Sequence, residues 1–276
     1  MKQCIVQKGM VKIKLQFIKN SFTFIIILVS AQLLTLDISL PVSASENANA
    51  GLGILSNSPA SITKNPAYNN NGYEISASYL FNLPDLPYYN AFLGKTINNL
   101  YLGLGNSFLA HPLYKESDSY LTINYGYKNF TAGVSVRNLY YKIDAFNNES
   151  FFTADLGFCY NHENYKTAFS LKNISAQDKI SHPNIYIWES RINLTKQSII
   201  ALGLEKEIDY DFIFRFGSNY HFHEMFALAA GYQYKPARLS CGFSVNWSEI
   251  NLSYSVRTHQ YLNLTHFISL GYGFKN

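Results

Sequence analysis

The chain has 276 residues, of which 14% are charged and 16% are aromatic, and its formal net charge is +4. A soluble domain has about 25% charged residues, so this chain has too little charge to cover a soluble surface. Its mean hydropathy of -0.07 also argues against a bundle of membrane helices, each of which needs about 20 apolar residues. A membrane β-barrel fits both values, because every second residue of its strands faces a polar lumen. The competing class is a soluble β-sandwich rich in tyrosine.

The first 50 residues have the pattern of an export signal. Basic residues precede an apolar run over 22–36, and small residues follow at 42–44 and 48–50. Each triplet of small residues fits a signal-peptidase site, so we predict residues 1–50 to be a signal peptide that is cleaved near 44 or 50. The alternative is a single membrane anchor, but an apolar run of about 15 residues is short for a span.

Residues 51–72 have no strand pattern and contain several Gly, Ser, Pro and Asn residues. Their larger apolar side chains are those of Ile54, Leu55, Ile62 and Tyr68. Because these side chains can be buried, we expect the segment to fill the barrel lumen as a short N-terminal plug. The alternative is a disordered periplasmic tail.

After residue 72, polar and apolar residues alternate with a period of two, which is typical of strands with unlike faces. Phe152, Leu156 and Phe158 lie on one face of such a segment, and Asp155 lies on the other. Lipid contains no water to satisfy a free sheet edge, so the sheet must close. We therefore predict that residues 73–276 form an all-β, transmembrane antiparallel β-barrel of fourteen strands, with twelve as the alternative. The predicted strands are 73–81, 88–94, 100–109, 119–128, 130–141, 152–162, 165–173, 185–194, 198–206, 211–222, 225–235, 238–247, 249–258 and 265–274.

Charged residues within the predicted strands fall on the polar face. A basic side chain that faced lipid at mid-membrane would cost about 2–4 kcal/mol, so we expect these residues to face the lumen. The rest of this face is mostly Gly, Ser, Thr and Asn, which are small enough to line a narrow interior. The predicted lumen-facing residues are Glu74, Arg137, Asp155, Glu189, Arg191, Arg215 and Arg257.

The lengths of the connections predict the orientation of the barrel. Short turns follow the even-numbered predicted strands, and most of the longer links follow the odd-numbered ones. Short turns usually face the periplasm, so we expect both termini there. The outer loops, and any surface that binds a protein partner, are predicted at 110–118, 142–151, 174–184 and 259–264.

Three segments resemble the PorV/PorQ family of outer-membrane barrels, which is related to FadL-type barrels. The segment 250–274 resembles the final hairpin of that family, 217–243 resembles the preceding hairpins, and 58–67 resembles an N-terminal segment that contains the motif NPA. The resemblance implies a barrel that helps the type IX secretion machinery to release or hand over cargo at the cell surface. The matching residues that we single out are Asn65, Pro66, Ala67, Thr265, His266, Ser269, Gly271 and Phe274.

No sequence pattern predicts catalysis. The chain has no GxSxG, GxxxxGK[ST] or CxxC motif, and the pair His221 and His223 offers too few ligands for a structural metal site. We expect no catalytic, cofactor-binding or metal-binding residues, and no enzymatic activity. The expected partners are lipid of the bacterial outer membrane and, from the resemblance, secretion components or exported cargo. Scattered basic residues argue against nucleic acid. The alternative functions are a FadL-like passive channel for small hydrophobic molecules and a purely structural barrel.

Overall fold

A computed structural model describes residues 40–143, 148–174, 183–208 and 210–273. Within these ranges the chain forms one closed antiparallel barrel of fourteen strands, in which each strand pairs with its neighbours in the sequence. The strands are β1 Gly72–Tyr79, β2 Pro87–Ile97, β3 Leu100–Ala110, β4 Tyr114–Tyr127, β5 Phe130–Ile143, β6 Asn148–His162, β7 Tyr165–Lys172, β8 Ile185–Asn193, β9 Ser198–Glu207, β10 Ile213–His223, β11 Phe226–Tyr234, β12 Arg238–Trp247, β13 Ile250–Arg257 and β14 Thr265–Tyr272.

The first and last strands close the barrel. Tyr73 of β1 pairs with Tyr272 of β14, and the ladder continues to Tyr79 and His266. The prediction of a fourteen-stranded barrel is therefore confirmed, and the twelve-stranded alternative is wrong. None of the helices in the described part of the chain combines the length and the hydropathy that a membrane span requires.

Side chains alternate between the two faces of the sheet, as the sequence predicts. In β4, Leu121, Ile123 and Tyr125 are exposed on the outer face, whereas Thr122 and Asn124 are buried in the lumen. The same alternation places a band of Leu, Ile, Phe and Tyr side chains around the outside, where lipid would contact it.

The connections define two ends of the barrel, which we call the turn end and the loop end. Links of two to four residues follow the even-numbered strands at the turn end, and most links at the loop end are longer. Two predicted outer loops are shorter than expected, because β3 and β4 leave only 111–113 between them and β5 and β6 leave only 144–147. At the loop end, the ladders of these strands extend beyond the membrane. Water contacts both faces of the sheet in that region, so neither face needs to be apolar.

A segment that precedes β1 lies inside the barrel, and we call residues 41–71 the plug. Its side chains from Pro41 to Tyr68 are buried, except at Ser45 and Asn57. It contains the helix α1 Ala44–Ala48 and the short 3-10 helices Gly53–Leu55 and Pro59–Thr63, and a further 3-10 helix, Leu80–Asn82, follows β1. The plug begins before residue 51, so residues that the sequence assigns to the export signal also lie in the lumen.

The plug passes the strands of the barrel in reverse order. Its hydrogen bonds to the wall begin at Ser76 of β1 and Ser269 of β14, continue at β13, β12 and β8, and end at Tyr101 of β3 and Thr96 of β2, after which the chain enters β1. A buried backbone group must find a partner, and the polar side chains of the lumen supply partners around this circuit.

Two paired glycines make room for the motif that the family resemblance singles out. Gly133 of β5 pairs with Gly157 of β6, and both face the plug. A Cβ at Gly133 would overlap the carbonyl oxygen of Pro66, and a Cβ at Gly157 would overlap Asn65 Oδ1. The segment Asn65-Pro66-Ala67 therefore contacts the wall at a distance that only glycine permits.

We predict that Gly133→Ala loosens the plug without opening the barrel. Overpacking of this kind costs about 1–3 kcal/mol, and the overlapping atoms belong to the backbone, which cannot rotate away. The measurement is the rate at which trypsin cleaves after Lys64, which is buried in the plug, in the folded protein in detergent. Gly126→Ala is the control, because a Cβ there has no neighbour closer than 3.7 Å. Equal cleavage of the two variants would contradict the prediction.

A second prediction concerns the start of the mature chain. Cleavage near 44 or 50 would remove Ser43, whose side chain caps α1, and the bond from the Ala44 N–H to Ser269 at 2.8 Å. We therefore expect the mature protein to begin before Val42. Mass spectrometry of the protein isolated from membranes would check this, and an N-terminus at 45 or 51 would show that the Ser43 cap and the bond from Ala44 to Ser269 are dispensable.

Candidate functional site

A buried carboxylate on β8 holds the middle of the plug. Glu189 accepts hydrogen bonds from the backbone N–H groups of Gly53 at 2.9 Å and Ile54 at 3.0 Å, and from the Tyr68 hydroxyl at 2.5 Å. Arg191, two residues along the same strand, donates to the Ile54 carbonyl at 3.3 Å. Bonds to charged groups are the stronger ones, so this arrangement, which we call the Glu189 clamp, fixes both halves of the plug to one strand.

The motif Asn65-Pro66-Ala67 is held by a second group of bonds. The Asn65 side-chain amide donates to the carbonyls of Phe158 and Phe169 on adjacent strands, and its Oδ1 accepts from the Ala67 N–H at 2.8 Å. Asn124 of β4 donates to the carbonyl of Pro66 at 2.9 Å. The motif therefore connects the plug to three neighbouring parts of the wall.

A cavity of about 490 Å³ lies on the loop-end side of the plug, and we call it the loop-end cavity. Its wall combines five tyrosines with aliphatic side chains, and Val42, Thr63 and Lys64 of the plug line it as well. The tyrosines are Tyr88, Tyr114, Tyr120, Tyr140 and Tyr141, and the aliphatic residues include Leu109, Leu139, Ile143 and Ile185. Aromatic and aliphatic walls with a few fixed polar groups are typical of small-molecule sites.

An ion-pair network lies at the inner wall of the loop-end cavity. Arg137 pairs with Asp118 at 2.5 Å and with Asp155 at 3.5 Å, and it donates to Asn173 Oδ1 at 3.0 Å. Tyr120 donates to the same Asp118 at 2.5 Å, and its ring lies 4.9 Å from the Arg137 guanidinium carbon. The named side chains carry one positive and two negative charges, and their hydrogen bonds fix the shape of this part of the wall.

The other predicted lumen residues also face inward. Arg215 of β10 pairs with Glu205 of β9 at 2.6 Å, Arg257 is buried near the loop end of β13, and Glu74 is buried on β1. Arg191 is half-buried. None of the seven predicted residues faces lipid, which agrees with the cost of placing a charge there.

The described residues of the C-terminal motif contact other parts of the barrel and the plug. Thr265 Oγ1 accepts from the Phe81 N–H at 3.1 Å, and Ser269 accepts from the plug. Gly271 is buried beside Glu74. His266 Nδ1 lies 2.7 Å from the Tyr254 hydroxyl. Phe274 lies outside the described residues.

A second cavity, of about 250 Å³, lies on the turn-end side of the plug. We call it the turn-end cavity. Its wall is formed by the plug and by strands β10–β13, and it is rich in Asn and Ser side chains. The two cavities have no lining residue in common, because the plug lies between them.

The plug contains one side-chain carboxyl group, that of Glu46. Glu46 of α1 is fully buried, and its Oε1 has no partner among the described residues. Burial raises the pKa of the Glu46 carboxyl to about 8, so the group is protonated and neutral at pH 7, which lowers the cost of burying it. Because the docked state holds this proton more tightly, the contribution of Glu46 to docking falls as the pH rises from about 4.5 to about 8.

The histidine pair that the sequence singles out is divided between two environments. His221 lines the turn-end cavity, whereas His223 Nδ1 accepts from the Met225 N–H at 3.1 Å in the following turn. Over the described ranges, no group of three or more His, Cys, Asp or Glu side chains is placed to hold a metal ion.

Several lumen residues were missed by the sequence analysis. The sequence pattern places Asp118 in a predicted loop, and the predicted lumen-facing residues do not include Tyr120 or Glu205. In the structure Glu205 pairs with Arg215, and Tyr120 donates to Asp118. A signal was present, because Asp118 and Tyr120 share the parity of Thr122 and Asn124 along β4.

Comparisons with known proteins find similarity in fold alone. No family model and no curated protein matches the chain. Among solved structures, the TodX deltaS2S3 mutant monoaromatic hydrocarbon channel matches with a TM-score of 0.67 at 8% identity, covering 85% of this chain and 99% of that one. The Pseudomonas putida toluene transporter TodX matches with a TM-score of 0.62 at 9% identity, covering 88% and 100%. A Pseudomonas aeruginosa FadL homologue matches with a TM-score of 0.61 at 8% identity, covering 86% and 99%.

This chain therefore shares the fold of these transmembrane barrels, which are described as a hydrocarbon channel, a toluene transporter and a FadL homologue.

The Glu189 clamp gives a third prediction. Glu189→Gln replaces the two carboxylate oxygens, which accept from three donors, with one oxygen and an NH₂ group that cannot accept. We therefore expect plug docking to weaken by about 1.5–3 kcal/mol. Hydrogen exchange of peptides that cover residues 51–56, followed by mass spectrometry, would report the loss as faster exchange. Glu163→Gln, in an exposed turn, is the charge-matched control and should exchange as the unchanged protein does. Unaltered exchange in Glu189→Gln would mean that the clamp does not hold the plug.

Proposed function

We propose that this chain is a non-enzymatic barrel of the bacterial outer membrane that admits small hydrophobic molecules, with the loop-end cavity as the entry site. The observation that carries the proposal is that cavity: about 490 Å³, walled by tyrosine and aliphatic side chains and bounded by the plug. The fold neighbours described as hydrocarbon channels support it.

The chemistry of the wall favours aromatic molecules that have little charge. Tyrosine rings offer faces and edges for aromatic contacts, and Tyr88 of β2 and Tyr120 of β4 both line the cavity. The charged side chains that line the cavity are three basic and three acidic ones, so an ion of either sign gains little net energy from them; they are Lys64, Arg137, Lys172, Glu116, Asp118 and Glu207.

Passage to the other side requires movement or a second exit. The plug separates the two cavities, and its docking depends on the Glu189 clamp and on the glycine pair Gly133 and Gly157. A molecule in the loop-end cavity therefore passes only when the plug shifts or when the barrel wall opens to lipid.

A second proposal comes from the resemblance to the PorV/PorQ family, which implies hand-over of secreted cargo. Plug docking is a sufficient reason for the motif residues that carry the resemblance, since Asn65, Pro66 and Ser269 take part in hydrogen bonds between the plug and the wall. The short links at 111–113 and 144–147 also leave less outer loop for a protein partner. We therefore place this function second.

Uptake of toluene tests the first proposal. Leu139 is buried and lines the loop-end cavity, so Leu139→Trp should fill the site and lower the initial uptake rate of cells that express the protein by about tenfold, equivalent to about 1.4 kcal/mol. Leu121→Trp, on the outer face, is the matched control and should keep the full rate. Uptake no faster than in cells without the protein, together with retention of secreted cargo when the native gene is deleted, would favour the secretion proposal.

A further inference from the structure

The turn-end cavity has a wall of hydrogen-bonding side chains. Two rows of paired residues form part of it, Asn251 with Asn246 and Ser253 with Ser244. They are bonded to one another, because Asn251 donates to Asn246 at 2.6 Å and Ser253 donates to Asn251 at 2.8 Å. This wall suits a polar ligand, whereas the tyrosine wall of the loop-end cavity suits an apolar one.

The charged side chains that line the turn-end cavity are acidic. Glu74 lies inside it, and Glu224 and Glu249 line it from the turns at its end of the barrel. Among the described residues that line the cavity there is no Lys and no Arg, and His221 is the remaining titratable side chain that can carry positive charge. A cation therefore gains electrostatic energy by entering, and an anion loses it.

Unused acceptors inside the cavity give a second, independent observation. Glu74 and Asn49 are both more than nine-tenths buried and line the cavity. Glu74 Oε1, Asn49 Oδ1 and Asn219 Oδ1 have no hydrogen-bond partner among the described residues. Buried acceptors of this kind are costly when left unpaired, and a ligand that donates N–H bonds would satisfy them.

The volume limits the size of that ligand. A cavity of about 150 Å³ holds benzene, so by proportion a cavity of about 250 Å³ has room for about ten non-hydrogen atoms. We propose that the turn-end cavity is a binding site for a compact organic cation whose ammonium groups donate to Glu74 and Asn49. The site lies at the turn end of the barrel, and it is separate from the loop-end cavity.

Three four-carbon probes that differ in charge test this site. Isothermal titration of the folded protein in detergent would compare butane-1,4-diamine, butane-1,4-diol and succinate. We expect the diamine to bind at least about tenfold more tightly than the diol, which is about 1.4 kcal/mol, and succinate not to bind. Comparable binding of all three, or absence of diamine binding, would overturn the proposal.

Variants locate the binding within the cavity. Glu74→Gln should weaken diamine binding by about tenfold or more, and Glu224→Gln, at an exposed turn, should weaken it by a smaller factor. Glu163→Gln removes the same charge from another exposed turn at the same end of the barrel and should leave binding unchanged. If Glu224→Gln and Glu163→Gln have equal effects, the diamine responds to overall charge and the site is disproved.

Failure of this inference is distinguishable from failure of the proposed function. Leu139→Trp fills only the loop-end cavity, so it should lower toluene uptake and leave the affinity for the diamine unchanged. A loss of diamine affinity in Leu139→Trp would mean that the two cavities are one site, which contradicts the inference.

Discussion

The structure depends on one constraint, which is that the backbone of the plug is buried inside the barrel and must find hydrogen-bond partners on the wall. Glu189 satisfies two successive N–H groups at the middle of the plug, and Ser269 satisfies another near its start. On the other side, Asn124 and Ser170 donate to plug carbonyls. The polar lumen is therefore a set of partners for one internal segment, and a plain water-filled channel would not need them in these positions.

This constraint also divides the lumen into two environments. Above the plug, toward the loop end, inward-facing tyrosines and a neutralised Arg137–Asp118 pair give a wall for weakly polar molecules. Below it, Asn and Ser side chains together with Glu74 give a polar wall of negative charge. Residues on the inner face of one sheet thus form one weakly polar cavity and one polar, acidic cavity, because the plug separates them into two groups.

Much of the fold was predictable because the lipid bilayer restricts which residues can face outward. Charged residues such as Arg137, Asp155 and Arg215 had to face inward, and their parity fixed the two faces of their strands. The strand ends were harder to predict. The ladders of β4, β5 and β6 extend beyond the apolar alternation, because backbone pairing needs no apolar face once the strands leave the membrane. The sequence does not distinguish a peptidase site from a tightly packed interior at 42–50, since small residues fit both.

The sequence by itself determined the barrel and the inward direction of its charges, since these follow from period-two alternation and from the absence of water in lipid. It favoured fourteen strands over twelve, and the closure of β1 on β14 decided the number. It also contained the motif Asn65-Pro66-Ala67, but not the reason for it. Only the tertiary structure decided that this motif packs on the paired glycines Gly133 and Gly157, and that Glu189 meets Gly53 across 136 positions of the chain. Parity along a strand tells which way a side chain points, whereas closure of the barrel around the plug decides what it meets.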